Sequence, residues 1–359
     1  MEDVSEMSGI DASGITISIY SGTDRAGVLE LLAHLWKGLD PSEREEKFRW
    51  RYEKNPNSSS PLIFVAKHKN RIVGIRAAVA QKFIVHETVF TVYSNADTVI
   101  HPDYRRKGLL KRLDEAIQKS NILDRKGIFL NLSSNNETTE ANLKNGFFKI
   151  NADKSIAVKI SIINVIRNII LKRNQRWTGD REIQKKGYRI FLNSEPKPKL
   201  FEEICISNRT ANKCTCLRNV DYFKWRYSLK MDEYWFIHCS DKEGQKGYLI
   251  LKNLSSNRFF LEEFSAVSFE TFNVLISTAF EMLDIGVLQT WMISFQHNDW
   301  LKRCSFFKES NLMNKFIGKK RLPLLVRPIT PNPAEKDFYI HGLDIRKSNN
   351  WLIYHADAH

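Results

Sequence analysis

Short stretches in which apolar and polar residues alternate predict the first β-strands of the chain. Ile15 to Tyr20 is one such stretch, and residues 61–85 predict two strands joined by a turn at His68–Lys69–Asn70. A longer strand is predicted from about Thr88 to Ile100, where His101–Pro102 ends it. We expect these strands to form one sheet.

Between these strands the apolar residues recur at helical spacing. Residues 24–39 predict one helix, and residues 42–55 predict a second that begins with a capping box of Ser42 and Glu45. A third helix is predicted after Gly108, because its apolar residues form the single stripe of a helix that lies on a sheet: Leu109, Leu110, Leu113, Ala116 and Ile117.

The next segments predict a strand from Ile128, a short helix that stops at Asn145–Gly146, and a strand at Phe147–Ile150. The predicted order of elements is therefore β-α-α-β-β-β-α-β-α-β. Such a chain folds into a mixed sheet flanked by helices, so the fold class is α/β.

An internal repeat indicates that this fold occurs twice. The sequence KFRWRYEK at Lys47–Lys54 returns as YFKWRYSL at Tyr222–Leu229, and LKNGFFK at Leu143–Lys149 returns as LKRCSFFK at Leu301–Lys308. Predicted strands, a helix and a further strand fill the interval, so residues ~205–325 are interpreted as a second, diverged copy. Its counterpart of the Gly108 turn, at Ala266–Glu270, has neither glycine nor base.

Composition is that of a soluble globular protein, with 359 residues, 42% apolar and 27% charged. No stretch reaches ~18 uncharged apolar residues, so we expect no stable membrane insertion. The start has no basic and apolar secretory pattern, which predicts a cytoplasmic protein. The five cysteines are odd in number and irregularly spaced, so they are expected to be reduced thiols. Cys214 and Cys216 form a single C-x-C motif with no second pair of ligands nearby, so no metal site is predicted.

These patterns predict four regions. Residues 1–14 are expected to be disordered, residues 15–154 to form the first domain, residues 155–200 to be a linker and residues 201–359 to form the second domain with a Pro-containing tail. Within the linker, Ser161–Trp177 is apolar and basic. That composition is compatible with a linker helix packed on the domains, and also with docking at a membrane surface.

The stretch from Val92 to Leu113 predicts a strand, a basic turn and a helix, and this order creates an anion site. Backbone N–H groups from Arg106 to Leu110 would point at the anion, and Gly108 lets the chain approach it closely. Three cations, Arg105, Arg106 and Lys107, precede the helix, where they oppose its dipole. Their presence favours a bound pyrophosphate. The net charge of +14 likewise favours anionic partners, although a solvated basic surface would give the same charge.

The order of elements and two motifs resemble the GNAT (GCN5-related N-acetyltransferase) superfamily of acyl-CoA-dependent N-acyltransferases. The first motif is Val99–Pro102 followed by the loop Arg105–Leu110, and the second comprises Asn135 and Leu143–Phe147. Leu110 departs from the small residue usual at that position. The resemblance implies two tandem GNAT-like domains, each a twisted mixed sheet flanked by helices, of which the second is degenerate.

The resemblance also implies a cofactor site. Acetyl-CoA or another acyl-CoA would be the co-substrate, with its pyrophosphate on the loop and its pantetheine arm between the fourth and fifth strands. The implied contacts are the backbone of Thr98, Val99 and Ile100, the loop residues Arg105, Arg106, Lys107, Gly108, Leu109 and Leu110, and Asn135. As an alternative, Asn135 caps the short helix.

The reaction is attack of an amine on a thioester, and a lysine-like amine with pKa ~10.4 needs roughly 4–5 kcal/mol to lose its proton at pH 7, so a base helps. Asp97, in the fourth strand, is the candidate base, with a structural hydrogen-bonding role as the alternative and His101 as a further candidate. The Tyr that serves as acid in the family is replaced by Asn142, and Tyr104 is a weak substitute.

The implied function is N-acylation of a small-molecule amine, with no metal and no nucleic acid involved. The pattern Trp50–Pro56 and the tandem layout resemble enzymes acting on an amino sugar of surface-polysaccharide synthesis. Because Trp-Arg-Tyr recurs where no cofactor loop is present, packing is its predicted role. Position alone makes the following residues candidate acceptor contacts: Glu262, Glu263, Trp351 and Asp357.

Two other hypotheses stay open. A Fem-like aminoacyl transferase also has tandem GNAT-like domains and would use the positive charge to hold aminoacyl-tRNA, but it would not need Gly108 and its basic loop. A non-catalytic protein would use the fold to bind CoA or a partner.

Overall fold

The computed structural model describes residues 14–132, 136–153, 155–171, 179–293, 295–308, 323–330 and 332–358. Its strands are β1 Ile15–Ile19, β2 Leu62–His68, β3 Arg71–Val85, β4 Thr88–Ile100, β5 Ile128–Asn131, β6 Phe148–Asp153, β7 Ser155–Ile160, β8 Arg181–Lys185, β9 Tyr188–Asn193, β10 Cys214–Cys216, β11 Tyr234–Asp241, β12 Gly244–Ser255, β13 Arg258–Ala266, β14 Val287–Met292, β15 Phe307–Lys308, β16 Pro323–Pro328, β17 Tyr339–Ile340, β18 Leu343–Asp344 and β19 Trp351–Leu352. Its α-helices are α1 Arg25–Leu32, α2 Pro41–Phe48, α3 Leu109–Lys119, α4 Asn136–Lys144, α5 Ile162–Leu171, α6 Pro198–Ser207, α7 Val220–Arg226, α8 Phe269–Met282 and α9 Phe295–Arg303.

Local signals in the sequence explain several of these boundaries. The predicted turn is present, with Lys69 and Asn70 both at positive φ between β2 and β3. Helix α2 begins two residues earlier than predicted. Its capping box is formed by Asp40 and Glu43 rather than by Ser42 and Glu45, because Pro41 supplies the fixed φ that suits the first helical position.

Within the described ranges, two large sheets carry the fold. The first has the order β1-β2-β3-β4-β5-β16-β6, with β10 and β19 attached through β3, and the second has the order β15-β7-β14-β13-β12-β11-β9-β8. Helices flank both sheets, and each sheet mixes parallel and antiparallel pairs. The predicted fold class is therefore confirmed.

The two halves of the chain exchange one strand. β16 lies antiparallel between β5 and β6 of the first sheet, although it follows the second half in sequence. In the same way β7, which follows β6, lies between β14 and β15 of the second sheet. Each half thus completes the sheet of the other.

This exchange changes the content of two predicted regions. The segment 155–200 was expected to be a linker, but its described residues include β7, β8 and β9, which all belong to the second sheet. The Pro-containing tail likewise supplies β16 to the first sheet. Hydrophobic patterning could not assign β16, because a short strand buried on both faces carries no signal for its sheet.

Alternate residues of the central strands face two different helix layers in the first half. Ile63 and Val65 of β2 pack in one apolar cluster with α1 and α2, whereas Phe64 and Ala66 pack in another with α3. A third cluster joins the halves, since it combines residues of β3 to β5 with residues of α6, α7 and β11. The space between the halves is therefore walled by rigid, packed elements.

Candidate functional site

The predicted anion loop is exposed at the start of α3. Gly108 precedes the helix with φ +71°, and Arg106 also has a positive φ of 61°, so two left-handed residues turn the chain into the helix. The side chains of Arg105 and Lys107 remain near the loop, with Arg105 Nε donating to the Ile100 carbonyl at 3.1 Å and Lys107 Nζ lying 5.2 Å from the Tyr104 ring. The first N–H groups of a helix have no partner within it, so this loop offers backbone donors and cations together.

Strands β4 and β5 diverge beside this loop. They pair in parallel only at Val92 with Ile128 and Tyr93 with Phe129. Beyond that point β4 continues to Ile100 without pairing with β5, which leaves a gap between the two strands. A gap at this place is what the predicted slot for a pantetheine arm requires. The donor groups of the loop and this slot fit a pyrophosphate joined to an extended arm.

The slot is narrow where α3 and α4 approach each other. Arg76 Nε donates to Asp114 at 2.9 Å, and Asn145 Nδ2 donates to the other oxygen of Asp114 at 3.0 Å. These groups line a space of about 10 Å³ that shares Arg76, Asn95 and Asn142 with a much larger cavity. The two spaces therefore meet at the gap between β4 and β5.

The larger cavity has a volume of about 610 Å³ and is walled by both halves. The first half contributes Trp50, Arg51, Asn95, Asp97 and Thr98 among others. The second half contributes Arg226, Tyr234, Lys252, Glu262 and His355 among others. A cavity of this size suits a small molecule.

Most cations of this cavity are paired with carboxylates. Lys252 Nζ lies 3.2 Å from Glu233, whereas Lys47 has only the ring of Trp36 as a close partner among the described residues, at 4.6 Å. Burial lowers the pKa of Lys47, and the positive charge of the nearby Arg51 lowers it further.

Asp97 lies in this cavity wall and accepts hydrogen bonds from three side chains. Arg51 Nη1 lies 3.0 and 3.2 Å from its two oxygens, Trp36 Nε1 donates at 3.1 Å and Tyr52 OH at 2.7 Å. Burial raises the pKa of Tyr52 well above its usual value, and Asp97 raises it further, so the phenol keeps its proton and donates. This arrangement favours the structural role for Asp97; its role as base stays a prediction.

The second half repeats this arrangement with different residues. A β-bulge interrupts the β3–β4 register at Ala96–Asp97, and another interrupts the β12–β13 register at Glu262. As Arg51 faces Asp97, so Arg226 faces Glu262, with Nη2 4.0 Å from the carboxylate. The Trp-Arg-Tyr repeat therefore marks corresponding points of the two halves.

A pair of tryptophans joins these two points. Trp50 Nε1 donates to the Trp225 carbonyl at 2.8 Å, and Trp225 Nε1 donates to the Trp50 carbonyl at 2.7 Å. Their rings stack with centroids 5.4 Å apart. Packing was the predicted role of this motif, and the rings form such a contact at the boundary of the halves, beside the cavity.

The residues predicted to contact the acceptor do not lie together. Glu262 lines the cavity, whereas Glu263, Trp351 and Asp357 do not. Trp351 packs in the core and donates from Nε1 to the Ile345 carbonyl. For Glu263, position in the chain was a poor guide because consecutive residues of a strand such as β13 face opposite sides of the sheet.

Glu263 and Asp357 instead share Arg218. Its guanidinium donates to Glu263 at 2.8 Å and to Asp357 at 2.6 Å, and all three side chains are buried. Burial raises the pKa of Asp357, against the opposing effect of Arg218. This cluster ties the C-terminal segment to the second half, and its described contacts are all internal.

No pattern in the sequence indicated His355, whose side chain is 34% exposed and lies beside Glu262. Nδ1 of His355 lies 2.6 Å from the Glu262 carboxylate, and the ring is held between Phe260 and Trp291 at centroid distances of 4.3 and 4.6 Å. Although burial raises the pKa of Glu262, the contact with His355 and the charges of Arg226 and Lys252 outweigh it and lower that pKa. An ionised Glu262 therefore holds the imidazole by Nδ1.

The segment at His355 makes the gap between strands of the second half different from that of the first half. Phe260 and Glu262 belong to β13 and Trp291 to β14, so the segment at His355 fills the gap where these two strands diverge. The matching gap of the first half, between β4 and β5, opens onto the cavity. Asn135, the other predicted cofactor contact, lies outside the described residues.

The described part of the chain has neither a cluster of metal ligands nor a helix that could span a membrane. There, no group of three or more His, Cys, Asp or Glu side chains is placed to hold a metal ion. The helices described are too short or too polar to cross a membrane.

Comparison with known proteins gives matches in structure alone. Neither models of protein families nor curated proteins match the chain. A probable N-acyltransferase of unknown function from Enterococcus faecalis V583 has a TM-score of 0.62 at 11% identity, with 90% of this chain and 74% of that chain covered. A GCN5-related N-acetyltransferase from Anabaena variabilis has a TM-score of 0.57 at 12% identity, covering 88% and 73%.

A tandem GNAT protein from the clavulanic acid biosynthesis pathway matches over its whole length. Its TM-score is 0.51 at 9% identity, with 89% of this chain and 100% of that chain covered. These similarities agree with the repeat in the sequence and with the two sheets of the structure. The chain therefore has the tandem fold of the GCN5-related N-acetyltransferase (GNAT) superfamily.

Proposed function

We propose that the protein is an acyl-CoA-dependent N-acyltransferase whose first half binds the acyl-CoA and whose two halves together bind the acceptor amine. One observation carries this proposal: the cavity between the halves continues into the gap between β4 and β5, next to the basic loop. The thioester of an arm lying in that gap would reach the cavity wall. The second half would not bind acyl-CoA, because the segment at His355 occupies its gap.

The loop and β4 would hold the cofactor. Arg105, Arg106 and Lys107 with the N–H groups up to Leu110 would bind the pyrophosphate, and the backbone of Thr98, Val99 and Ile100 would bind the arm. Widening the gap requires the Arg76–Asp114–Asn145 contacts to shift. Asn135 remains a proposed contact on the family resemblance alone.

His355 is the base of the proposed reaction. With Nδ1 held by Glu262, the neutral ring keeps a lone pair on Nε2, which has no hydrogen-bond partner among the described residues. The acceptor ammonium gives one proton to Nε2, and the neutral amine attacks the thioester carbon. The C–N bond forms, the C–S bond breaks, and the leaving thiolate takes the second proton from nitrogen. His355 then releases its proton to water.

The acceptor is a small amine, and an amino sugar of surface-polysaccharide synthesis is the proposed class. The likeness of the Trp50–Pro56 pattern and the tandem layout support it, and the cavity volume of about 610 Å³ is large enough for such a molecule. Side chains that can hydrogen-bond a sugar line the wall, among them Asn95 and Tyr234.

The binding test is a thermal-shift screen with acetyl-CoA, longer acyl-CoAs and tRNA. Gly108→Glu should abolish the shift given by acyl-CoA, because it adds a negative charge to the loop. Gly187→Glu is a matched control, since Gly187 also has a positive φ of 83° with open space around it. Each substitution should cost about 1–2 kcal/mol of stability through backbone strain. If acyl-CoAs do not stabilise the protein, or stabilise Gly108→Glu equally, the proposal fails; a shift with tRNA alone would favour a Fem-like transferase.

The base is tested by release of free thiol from acetyl-CoA with a panel of amines that includes amino sugars. His355→Gln should lower kcat by 10²–10⁴-fold, the usual contribution of a general base, and should leave the shift given by acetyl-CoA unchanged. The charged groups around the ring are Glu262, Arg226 and Lys252, and Glu262→Gln should also lower kcat, because the ring loses the carboxylate that orients Nδ1. Unchanged kcat in His355→Gln would exclude this base while leaving the transferase proposal intact.

A further inference from the structure

Helix α5 exposes an unbroken apolar stripe. Five isoleucines lie on one face at i, i+1, i+4, i+7 and i+8, and they are 49–71% exposed: Ile162, Ile163, Ile166, Ile169 and Ile170. Single exposed apolar residues are ordinary on a protein surface, whereas a contiguous patch of this kind marks a site of interaction.

The opposite face of α5 is polar, and it is this face that contacts the protein. Asn164 is buried, and its Nδ2 donates to the Phe280 and Ile285 carbonyls at 3.1 and 3.0 Å. Asn168 Nδ2 donates to the Asp284 carbonyl at 3.2 Å, and Arg167 pairs with Asp284 at 3.0 Å.

A helix on a globular surface usually buries its apolar face. Here the amide contacts fix the helix in the reverse orientation, so the isoleucines point away from the core. The segment therefore packs on the second half, as expected, but through its polar face and with its isoleucines exposed. The exposed isoleucines add support to the other expectation, docking at a membrane surface.

Charge and composition identify the surface that would cover the stripe. From Ser155 to Trp177 the chain has five cations, Lys159, Arg167, Lys172, Arg173 and Arg176, and no acidic residue. The last three lie outside the described residues. The stripe is purely aliphatic, without the Tyr, Trp, Met or Arg that are enriched in protein interfaces. A stretch of sequence that is basic, has no acidic residue and contains an aliphatic helix face matches an anionic lipid surface.

We propose that α5 docks the protein on an anionic membrane surface, with the isoleucine stripe in the acyl-chain boundary. This proposal is independent of the acyltransferase proposal, because it rests on residues outside the cavity. Helix α5 has ten residues and would lie along the surface.

The test is co-sedimentation of the full chain with vesicles of equal parts phosphatidylglycerol and phosphatidylcholine, and with vesicles of phosphatidylcholine alone. The protein should bind the anionic vesicles, more weakly as salt is added. The double variant Ile163→Asn/Ile170→Asn should bind at least tenfold more weakly, since burying one isoleucine alone is worth about a factor of ten. Leu254→Asn is the matched control, because Leu254 is 48% exposed on β12 in the second sheet, and it should bind as the wild type does.

Three results would overturn the proposal. Absence of binding to the anionic vesicles is one, and equal binding by wild type and the double isoleucine variant is another, since basic charge alone would then explain it. The third is a dimer in solution, measured by light scattering, that the double variant converts to a monomer, because a second copy of the chain would then cover the stripe.

Discussion

The strand exchange predicts that a substitution near the end of the chain destabilises the first half. Leu325 in β16 is fully buried and packs with Leu109 and Leu113 of α3 and with Phe129 of β5. Val158 in β7 holds a corresponding place in the second sheet, where it is 6% exposed and pairs with β14 and β15. Leu325→Ala and Val158→Ala therefore form a reciprocal pair of perturbations.

The structure sets the size of each effect. Leu325→Ala removes three buried carbons and leaves a cavity in a packed core, which costs about 2–5 kcal/mol. Val158→Ala removes two carbons, or about 1.6 kcal/mol at ~0.8 kcal/mol per buried methylene. At roughly 1.4 kcal/mol per factor of ten, Leu325→Ala should raise local opening of its sheet by about 30-fold or more.

Hydrogen exchange read out by mass spectrometry locates each effect. Leu325→Ala should deprotect peptides covering β5 and β6, which lie more than 170 residues earlier in the chain. Val158→Ala should deprotect peptides covering β14 and β15 instead. Leu254→Ala, at a residue that is 48% exposed, should change neither set.

The reasoning is refuted if the effects follow the order of the sequence. Loss of protection confined to β11–β15 in Leu325→Ala, with β5 and β6 unchanged, would mean that β16 does not complete the first sheet. Equal loss everywhere would mean that the two sheets unfold as one unit, and the exchange would then have to be tested by the positions of cross-links instead.

Three further predictions concern single contacts, each measured by urea unfolding. Trp50→Phe and Trp225→Phe each remove an indole N–H that pairs with a buried carbonyl, so each should cost about 1–3 kcal/mol; costs below about 0.5 kcal/mol for both would contradict the paired role. Arg218→Met leaves two buried carboxylates without their cation and should cost about 3–5 kcal/mol; a neutral effect would show that water solvates them. Burial lowers the pKa of His238 from 6.5 to about 4, and the charge of Lys197 contributes to this shift. The unfolded state therefore binds the proton at a higher pH than the folded state does. As the pH falls from 6.5 to about 4, the free energy of unfolding should decrease by up to about 3 kcal/mol because of this group. His238→Phe should keep the stacking on Phe191 and flatten that part of the pH dependence; an unchanged slope would assign it to other groups.

Local patterns were sufficient to predict the elements of residues 15–150, but not the strands β7, β8, β9 and β16 or their partners. The helix after Gly108 and the turn at Lys69–Asn70 follow from short-range sequence signals, and the repeat revealed the second copy. The position of β16 could not be predicted, since Pro323–Pro328 is buried on both faces and carries no period that selects a sheet. Strand pairing over such a separation depends on packing rather than on local sequence.

The site was predictable only where backbone conformation defines it. Gly108 is recognisable because a left-handed residue is needed before the helix. The surroundings of Asp97 were not, because Trp36, Arg51 and Tyr52 reach it from elements 45 to 61 residues away. His355 was missed because its role depends on Glu262, which is 93 residues away in the sequence.

The exchange of β7 and β16 also determines how a ligand can reach the cavity. A hinge motion that separates the halves would remove an internal strand from each sheet. The free energy required would be comparable to the free energy of unfolding of a typical domain. A ligand that enters or leaves the cavity must therefore pass side chains at its rim, such as Leu35 and Lys230, which are each nearly half exposed. Side chains of this kind reorient within nanoseconds, so entry of an acceptor would be gated by fast local motion rather than by slow domain closure.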